Sequence, residues 1–384
     1  MSPNNKTCRW GILGTAGIAR KNWLAMRLSG NSQVVAVASR NQASAQRFID
    51  ECSAQVPQAA SPEALGSYQT LLDRDDIDAV YIPLPTALRH TWVTRAAEAG
   101  KHVIGEKPAA INAQHVEQML AACQQHNVQY MDGVMFMHSQ RLPLVRSLLD
   151  NSPSGAADAK CIGEQCIGEL RRMSAQFSFA ADESFRQSNI RTDSELEPYG
   201  CLGDLGWYCI RYFLWVMQGQ MPIEVRARTL TQLQGLNSPQ SVPGELSGEL
   251  LFADGVTASF YNSFLTENQQ WFHASGTKGY LRVDDFVLPY HGPEVAVLTG
   301  QDVFAVDNCS FHMQHHLRRH AINEVDAGHA SSQEVRMFRH FSDLVLSGQR
   351  EAAWPNWTLQ TQRVLDACFQ SAQQDGAPVR LAQP

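Results

Sequence analysis

Trp10-Gly11-Ile12-Leu13-Gly14-Thr15-Ala16-Gly17-Ile18-Ala19 is the stretch on which the fold turns. The apolar run from Arg9 to Leu13 reads as a buried strand, and the small residues after it lead into a segment of helical period. A turn of this kind needs small side chains if its backbone is to approach an anion. The first N–H groups of the following helix are unpaired and carry the positive end of its dipole. Gly14, Ala16 and Ala19 occupy the slots of a G-x-G-x-x-G/A fingerprint, with Gly17 beside the middle one. Gly14, Thr15, Ala16, Gly17, Ile18 and Ala19 are therefore expected to cradle a dinucleotide pyrophosphate, an ordinary strand-to-helix turn being the alternative.

Downstream, short β-branched runs alternate with helical segments. Strands are expected at Arg9 to Leu13, Gln33 to Ala38, Ala79 to Ile82, His102 to Gly105 and Val128 to Met131. Helices are expected at Ala43 to Cys52, His90 to Ala99 and Ala113 to His126, and Ser61-Pro62-Glu63-Ala64 reads as a further helix start. Such alternation implies βαβ units and a parallel sheet. The second strand ends in Ser39-Arg40, where an NAD-selective site would usually carry an acid to hold the ribose 2′-OH. A hydroxyl and a guanidinium there favour NADP(H) over NAD(H), unless Arg40 is simply a solvated surface residue. The next strand runs into Tyr81-Ile82-Pro83-Leu84-Pro85-Thr86, an edge that faces the cofactor crevice in a doubly wound sheet. Pro83, Leu84, Pro85 and His90 are the expected cofactor neighbours on that side.

The pattern changes after Asp132. A helix near Leu142 to Leu149 leads into a polar loop, Asn151 to Lys160. Period-two segments follow at Leu170 to Phe179, Glu224 to Thr231, Glu245 to Phe252, Val256 to Ser263, Trp271 to Ser275 and Gly279 to Val283, predicting about six mostly antiparallel strands. Helices are expected at Asp204 to Met217, Ser332 to Ser347 and Thr358 to Gln374. The fold class is α/β: a Rossmann-type doubly wound parallel sheet over residues 1–135, then an α/β domain with a large open, mostly antiparallel sheet over 136–384. Apolar alternation on a sheet this large is expected to leave a bare face that a second subunit covers.

Composition narrows the partners. A formal charge of −7 over 384 residues argues against general nucleic-acid affinity, which demands clustered Lys and Arg. No apolar run reaches membrane-spanning length, and the polar start has no export signal, so the expected location is cytoplasmic. Nine scattered cysteines without a CxxC pair read as reduced thiols, Cys161 and Cys166 included, with packing roles. His312, His315, His316 and His320 form a dense cluster, but no Cys or carboxylate completes an evident ligand set; a basic surface segment or subunit contact is expected, and no metal.

The chemistry is expected at Gly105-Glu106-Lys107-Pro108, where a strand ends on a lysine deep inside the nucleotide-binding pattern. Hydride transfer at an alcohol carbon must be matched by proton transfer at its oxygen, which calls for a donor and acceptor of tunable pKa. Lys107 and Tyr208 suit that pairing, and an ammonium close to the phenol would lower the tyrosine's pKa. Asp204 stands at i, i+4 from Tyr208 and so shares a helix face with it, able to orient a lysine or a substrate hydroxyl. Singly, each has a plain structural alternative: a loop lysine, a helix N-cap and a half-buried aromatic.

Taken together, Glu106-Lys107-Pro108, the turn at Gly14 to Ala19 and Gly203-Asp204-Leu205-Gly206-Trp207-Tyr208 closely resemble the Gfo/Idh/MocA oxidoreductases. The likeness is to the branch that includes glucose-fructose oxidoreductase, dimeric dihydrodiol dehydrogenase and NADP-linked xylose dehydrogenase. It implies that Glu106 and Lys107 lie at the nicotinamide, that Lys107, Asp204 and Tyr208 are catalytic, and that Met131 to Arg141 lines the pocket. His138 and Arg141 are then candidate substrate contacts, with Arg191 a weaker one; interdomain hydrogen bonding is the alternative for the first two. Relatives often read His-Asn-Pro-Arg where this chain has His138-Ser139-Gln140-Arg141. The implied activity is NADP-dependent hydride transfer between nicotinamide and a secondary alcohol or carbonyl of a sugar or cyclic diol, in a homodimer joined through the second sheet. Sugar-to-sugar oxidoreduction with retained NADP, or NADP(H) sensing without turnover, are the alternatives.

Overall fold

In the computed structural model, residues 6–150 and 166–382 are described; the loop expected at Asn151 to Lys160, and Cys161, lie outside them. The first strand, β1 (Cys8–Leu13), is buried at every position but Arg9. It pairs in parallel with β2 (Ser32–Ala38) and β4 (Ala79–Ile82). With β3 (Glu63–Leu65), β5 (His102–Gly105) and β6 (Tyr130–Asp132) they form a parallel sheet in the order β3-β2-β1-β4-β5-β6. That is the doubly wound order that opens a crevice between β1 and β4 at the carboxyl ends of the strands. Helices α1 (Gly17–Ser29), α2 (Gln42–Gln55), α3 (Tyr68–Leu72), α4 (Thr86–Glu98) and α5 (Ala113–Gln125) connect them. All four residues of β4 are buried, as befits a strand covered on both faces.

The helix expected to start at Ser61 is not formed. Glu63–Leu65 pairs instead with Ala36–Ala38 at the sheet edge, and the N-cap falls later, at Ser67, whose hydroxyl accepts from the Thr70 N–H. The unpaired edge of β2 outcompetes a local capping preference that is worth only about 1 kcal/mol.

Beyond α6 (Arg141–Asp150) the chain builds a second sheet of nine strands rather than six. Its strands are β7 (Leu170–Ala180), β8 (Glu224–Leu233), β9 (Val242–Leu251), β10 (Thr257–Ser263), β11 (Leu265–Gly276), β12 (Tyr280–Val283), β13 (Glu294–Gly300), β16 (Leu317–Asn323) and β17 (Val379–Arg380). The order is β16-β13-β12-β11-β7-β10-β9-β8-β17, antiparallel except where β10 runs parallel to β7. The strands missed from sequence, β13, β16 and β17, lie toward the ends of the sheet; β17 is only two residues long, and β13 alternates, with Val295 and Val297 buried. Two more, β14 (Val303–Asp307) and β15 (Ser310–Gln314), pair only with each other.

One face of the large sheet buries Ala175, Leu246, Leu250, Ala258, Phe260 and Phe272. Helices α8 (Trp207–Val216) and α10 (Ala353–Gln373) pack on the sheet. The opposite face is mixed, with Arg172, Ser174, Gln176, Ser247, Glu249 and Ser259 outward beside the rings of Tyr261, Trp271 and Tyr280. Strict alternation already places the apolar set inward. A short helix, α7 (Glu183–Ser188), follows β7. Near its end the chain returns to the first sheet: in α9 (Gln333–Ser347), Phe338 and Phe341 pack on Trp10, whose indole N–H donates to Ser342 at 3.1 Å. No helix among the described residues is long and apolar enough to cross a membrane. Cys166 is disulfide-bonded, which corrects the expectation that every thiol is reduced.

Candidate active site

The turn after β1 has the shape its composition requires. Gly14 sits at φ +112°, its N–H donates to Ala38 O at 2.9 Å, and a Cβ there would meet the Leu84 side chain at 2.9 Å. Leu84 thus closes over the turn, which explains the stiff Pro83-Leu84-Pro85 segment that carries it. Ala16 is the N-cap of α1 and offers no side-chain acceptor, while Gly17 and Ile18 are exposed and a Cβ on Gly17 would meet nothing. The first amides of α1 are therefore free of protein caps, and Gly17 adds no side chain to block approach: the residues present fit a pyrophosphate. Ser39 is buried and its N–H donates to Leu65 O at 3.0 Å; Arg40 beside it is exposed, within electrostatic reach of Tyr68. His90 stacks on His115 of α5 with centroids 4.3 Å apart, and burial together with that neighbour lowers its pKa.

On the other side of the crevice, β5 ends at Gly105 and hands the chain to Glu106, whose carboxylate accepts from the Tyr81 hydroxyl at 2.6 Å. The Lys107–Pro108 peptide is cis. The Lys107 ammonium donates to Asp204 Oδ1 at 2.8 Å and to the Asp204 carbonyl at 2.6 Å, and it stands 4.6 Å from the Tyr208 ring centroid. Arg191, in the 3-10 turn Ile190–Thr192, approaches the same Asp204 Oδ1 with Nε at 2.8 Å. Four residues from three separate stretches of chain thus converge.

The helix expected from Asp204 begins with a π-helical turn, Leu202–Gly206, before α8. Such turns widen the backbone and recur at functional sites. Here the turn carries Asp204, while Tyr208 lies in the first turn of α8. Gly203 and Gly206 make the packing possible, since a Cβ would lie 2.8 Å from Tyr199 and from Asn262 respectively.

Electrostatics then assign the proton states. Burial would raise the Asp204 carboxyl, but Arg191 and Lys107 outweigh it and hold the group well below the usual carboxylate range. Burial lowers Lys107 despite Asp204, with Arg191 adding to the decrease. Tyr208 is pushed well above a normal phenol by burial first, then by Glu106 and Asp204. This reverses the sequence-based expectation of a lowered tyrosine: burial comes first, the two carboxylates add to it, and the ammonium lies over the ring face. The ring is held by Phe177 and Phe136, with centroids at 5.6 and 6.2 Å. Among the described residues its hydroxyl makes one weak contact, to Met135 Sδ at 3.8 Å. The group is a pre-packed phenol with an uncommitted O–H.

The family of this arrangement is settled by two matches. Residues 8–134 match the NAD-binding Rossmann fold of the GFO_IDH_MocA oxidoreductases, and residues 159–282 match the C-terminal domain of that family. The chain belongs to the Gfo/Idh/MocA oxidoreductase family. Among its relatives, a dTDP-3,4-didehydro-2,6-dideoxy-alpha-D-glucose 3-reductase of Saccharopolyspora spinosa is 32% identical over 74% of this chain and 76% of its own. A D-xylose 1-dehydrogenase (NADP(+)) of Haloferax volcanii is 30% identical, covering 72% and 75%. A crystal structure of a 3-ketoreductase from Actinomadura kijaniata, bound to NADP and TDP-benzene, superposes with TM-score 0.77 at 25% identity over 95% of this chain and 98% of that one.

Other residues hold the Gfo/Idh/MocA site in place, and sequence reading passed over them. Arg89 is buried on α4 and donates to Leu84 O at 2.8 Å, to Thr86 Oγ1 at 2.9 Å and to the Pro108 carbonyl, with Glu197 at 3.8 Å. One guanidinium therefore ties the segment over the phosphate turn to the residue following Lys107. Asp132, at the end of β6, accepts from Arg211 and from the Trp207 indole at 3.1 Å, and the Arg211–Asp132 pair is fully buried. It clamps α8, and so Tyr208, to the first sheet. Arg89 sits in no motif, and the role of Asp132, within the Met131 to Arg141 segment, becomes visible only when distant segments meet.

His138 and Arg141 face inward instead. His138 stacks on Trp354 at 4.7 Å, and Arg141 pairs with Asp285 and donates to its carbonyl at 2.7 Å. Their contacts are structural ones, and none is with Lys107, Asp204 or Tyr208. The histidine cluster spreads over the edge strands: His315 meets Asp302 at 2.8 Å, and His320 meets Thr299 at 2.9 Å.

Asp204→Asn is expected to cost about 3 kcal/mol of stability at neutral pH, because it leaves two cations facing each other with their anion gone. The sign with pH follows from the lowered carboxyl. Unfolded, Asp titrates near ~4, so the native contribution is complete above that pH and fades as the pH falls toward the lower folded value. Urea melts between pH ~3 and ~7 should show the wild-type advantage shrinking on the acid side; a variant as stable as wild type at neutral pH would contradict the charge-sharing role.

Proposed function

We propose that the chain is an NADP(H)-dependent oxidoreductase acting on a secondary alcohol or carbonyl of a sugar or cyclic diol. The observation that carries this reading is the Lys107 ammonium set between Asp204 and the Tyr208 ring, beside a crevice whose phosphate turn is uncapped. NADP(H) is supported by Ser39 and Arg40 at the end of β2 and by relatives whose names carry NADP. Residues 1–135 then hold the cofactor through Gly14 to Ala19, Ser39, Arg40 and Pro83 to Pro85, while 136–384 hold the substrate. The bound cofactor supplies or accepts the hydride.

The protein's own groups handle the proton. For carbonyl reduction, Lys107 polarises the oxygen and Tyr208 gives it a proton, to be restored from solvent. In the oxidative direction the same phenol, once deprotonated, takes the alcohol proton. Asp204 fixes the lysine and keeps it charged. Arg191, still over one-third exposed while bound to Asp204, is the substrate contact retained from the sequence reading. Sugars and diols present adjacent hydroxyls that such a paired cation and carboxylate can bind.

The test is a titration of NADPH and NADH by nucleotide fluorescence, followed by turnover on a panel of aldoses, cyclic diols and keto-sugars. Binding with no turnover across the panel would displace the enzyme reading in favour of a sensor. Arg40→Ala should raise the Kd for NADPH about tenfold and that for NADH by less than about twofold, as one charge-assisted phosphate contact is worth roughly 1.4 kcal/mol. Equal losses would refute the 2′-phosphate contact.

A further inference from the structure

Tyr81 is fully buried in β4, yet its hydroxyl is the meeting point of two hydrogen bonds. Asn22 of α1 donates to it at 2.7 Å, and it donates in turn to Glu106 Oε1 at 2.6 Å. The ring packs edge-on against Phe338 of α9, with centroids 5.7 Å apart. A buried hydroxyl costs free energy unless it is paired, so a phenylalanine would satisfy that packing alone. The polar chain from Asn22 through Tyr81 thus serves Glu106.

Glu106 leaves β5 directly before Lys107, and its N–H donates to Ile82 O at 3.2 Å, at the carboxyl end of β4. Gly133, after β6, makes room for it: a Cβ there would stand 3.1 Å from Glu106 Oε1. Tyr81 occupies Oε1, while Oε2 makes no hydrogen bond among the described residues and Glu106 remains 8% exposed. An unpartnered carboxylate oxygen one residue from Lys107 is an acceptor for donors in the crevice.

Topology says which donors. A dinucleotide crosses the crevice between β1 and β4, so a 2′-phosphate end at Ser39 and Arg40 of β2 puts the nicotinamide end over β4 and β5. That end carries ribose hydroxyls and a carboxamide NH₂, all neutral donors. On the NADP(H) reading proposed above, we infer that Tyr81 is a positioning residue that holds Glu106 Oε2 ready for the nicotinamide riboside end of the cofactor. Asn22 contributes direction: it fills an acceptor position of the Tyr81 oxygen, which leaves the single O–H for Glu106. Freed of that bond, the carboxylate regains side-chain freedom, and cofactor binding must then order it again.

Calorimetric titration of Tyr81→Phe tests this with NADPH and with adenosine 2′,5′-bisphosphate, which lacks the whole nicotinamide half. The Kd for NADPH should rise about tenfold and that for the bisphosphate by less than about twofold. Weakening of 2′-phospho-ADP-ribose as well would assign the donor to the ribose, and its sparing would assign it to the carboxamide; either supports the role. Glu106→Gln should discriminate in the same way, and Tyr81→Phe/Glu106→Gln should lose no more than about twofold beyond Glu106→Gln alone, because the hydroxyl acts through that carboxylate. Equal weakening of NADPH and the bisphosphate marks a merely structural tyrosine and overturns the inference, as do an unchanged Kd for NADPH or additive losses in the double variant. A wild type that binds neither ligand overturns the NADP(H) reading itself, and this role with it. Should Tyr81→Phe melt early because Asn22 is left orphaned, Asn22→Leu/Tyr81→Phe removes both polar partners at similar shape; it must show the same selective loss, and losses on both ligands count against the role.

Discussion

Lys107→Met is expected to lower kcat by about 10³-fold while shifting the Kd for NADPH by less than about threefold. Methionine nearly matches the length of the lysine stem, so the crevice stays filled; what goes is the ammonium. Two things depend on that ammonium. It lies between Asp204 and the Tyr208 ring, where it can polarise a substrate oxygen in a site whose burial magnifies each charge. It also shares the neutralisation of Asp204 with Arg191, so the variant keeps one cation on the carboxylate and should still fold. Steady-state kinetics with a fluorescence titration separate the effects. A loss confined to KM would mean that Lys107 binds substrate without assisting the transfer, and full activity would remove it from the mechanism.

Tyr208→Phe is the companion experiment, and kcat should fall by about 10² to 10³-fold. Its strength as a test lies in what it leaves alone. The ring is wedged between Phe177 and Phe136, and among the described residues its hydroxyl makes one weak contact, to Met135 Sδ, so the variant should lose under about 1 kcal/mol of stability. Any large loss of rate therefore belongs to the O–H. The raised pKa adds a directional signature. A phenol that holds its proton is a ready donor throughout the neutral range, so carbonyl reduction should be flat with pH there. Alcohol oxidation needs the deprotonated form and should climb as the solution becomes alkaline. If the two directions share one pH profile, or if Tyr208→Phe keeps that alkaline climb, another group carries the proton.

How much was legible beforehand depended on how local each signal is. The phosphate turn was fully readable, because Gly14 at positive φ and the small residues at Ala16 and Gly17 answer a backbone requirement within one turn. The pairing of Lys107 with Asp204 was anticipated through motif resemblance, yet its consequence was misjudged. An ammonium expected beside the phenol suggested an acidic tyrosine, whereas the fold buries the phenol, with Glu106 and Asp204 adding to the rise, and lays the ammonium on the ring face. For His138 and Arg141 the sequence left pocket and interdomain roles open, and the fold brings Trp354 and Asp285, far along the chain, against them.

By itself, then, the sequence determined the doubly wound sheet and the small-residue turn after β1, and motif resemblance marked Lys107, Asp204 and Tyr208 as candidates. The sheet and the turn rest on short-range rules: strand and helix periodicity and helix-end chemistry. Tertiary structure alone decided the proton states, the ion pair of Arg191 with Asp204, and the Arg89 and Asp132 clamps. Those outcomes depend on burial and on charges brought together from distant segments, and pKa values, ion pairs and exposed patches are properties of three-dimensional proximity that no local pattern encodes.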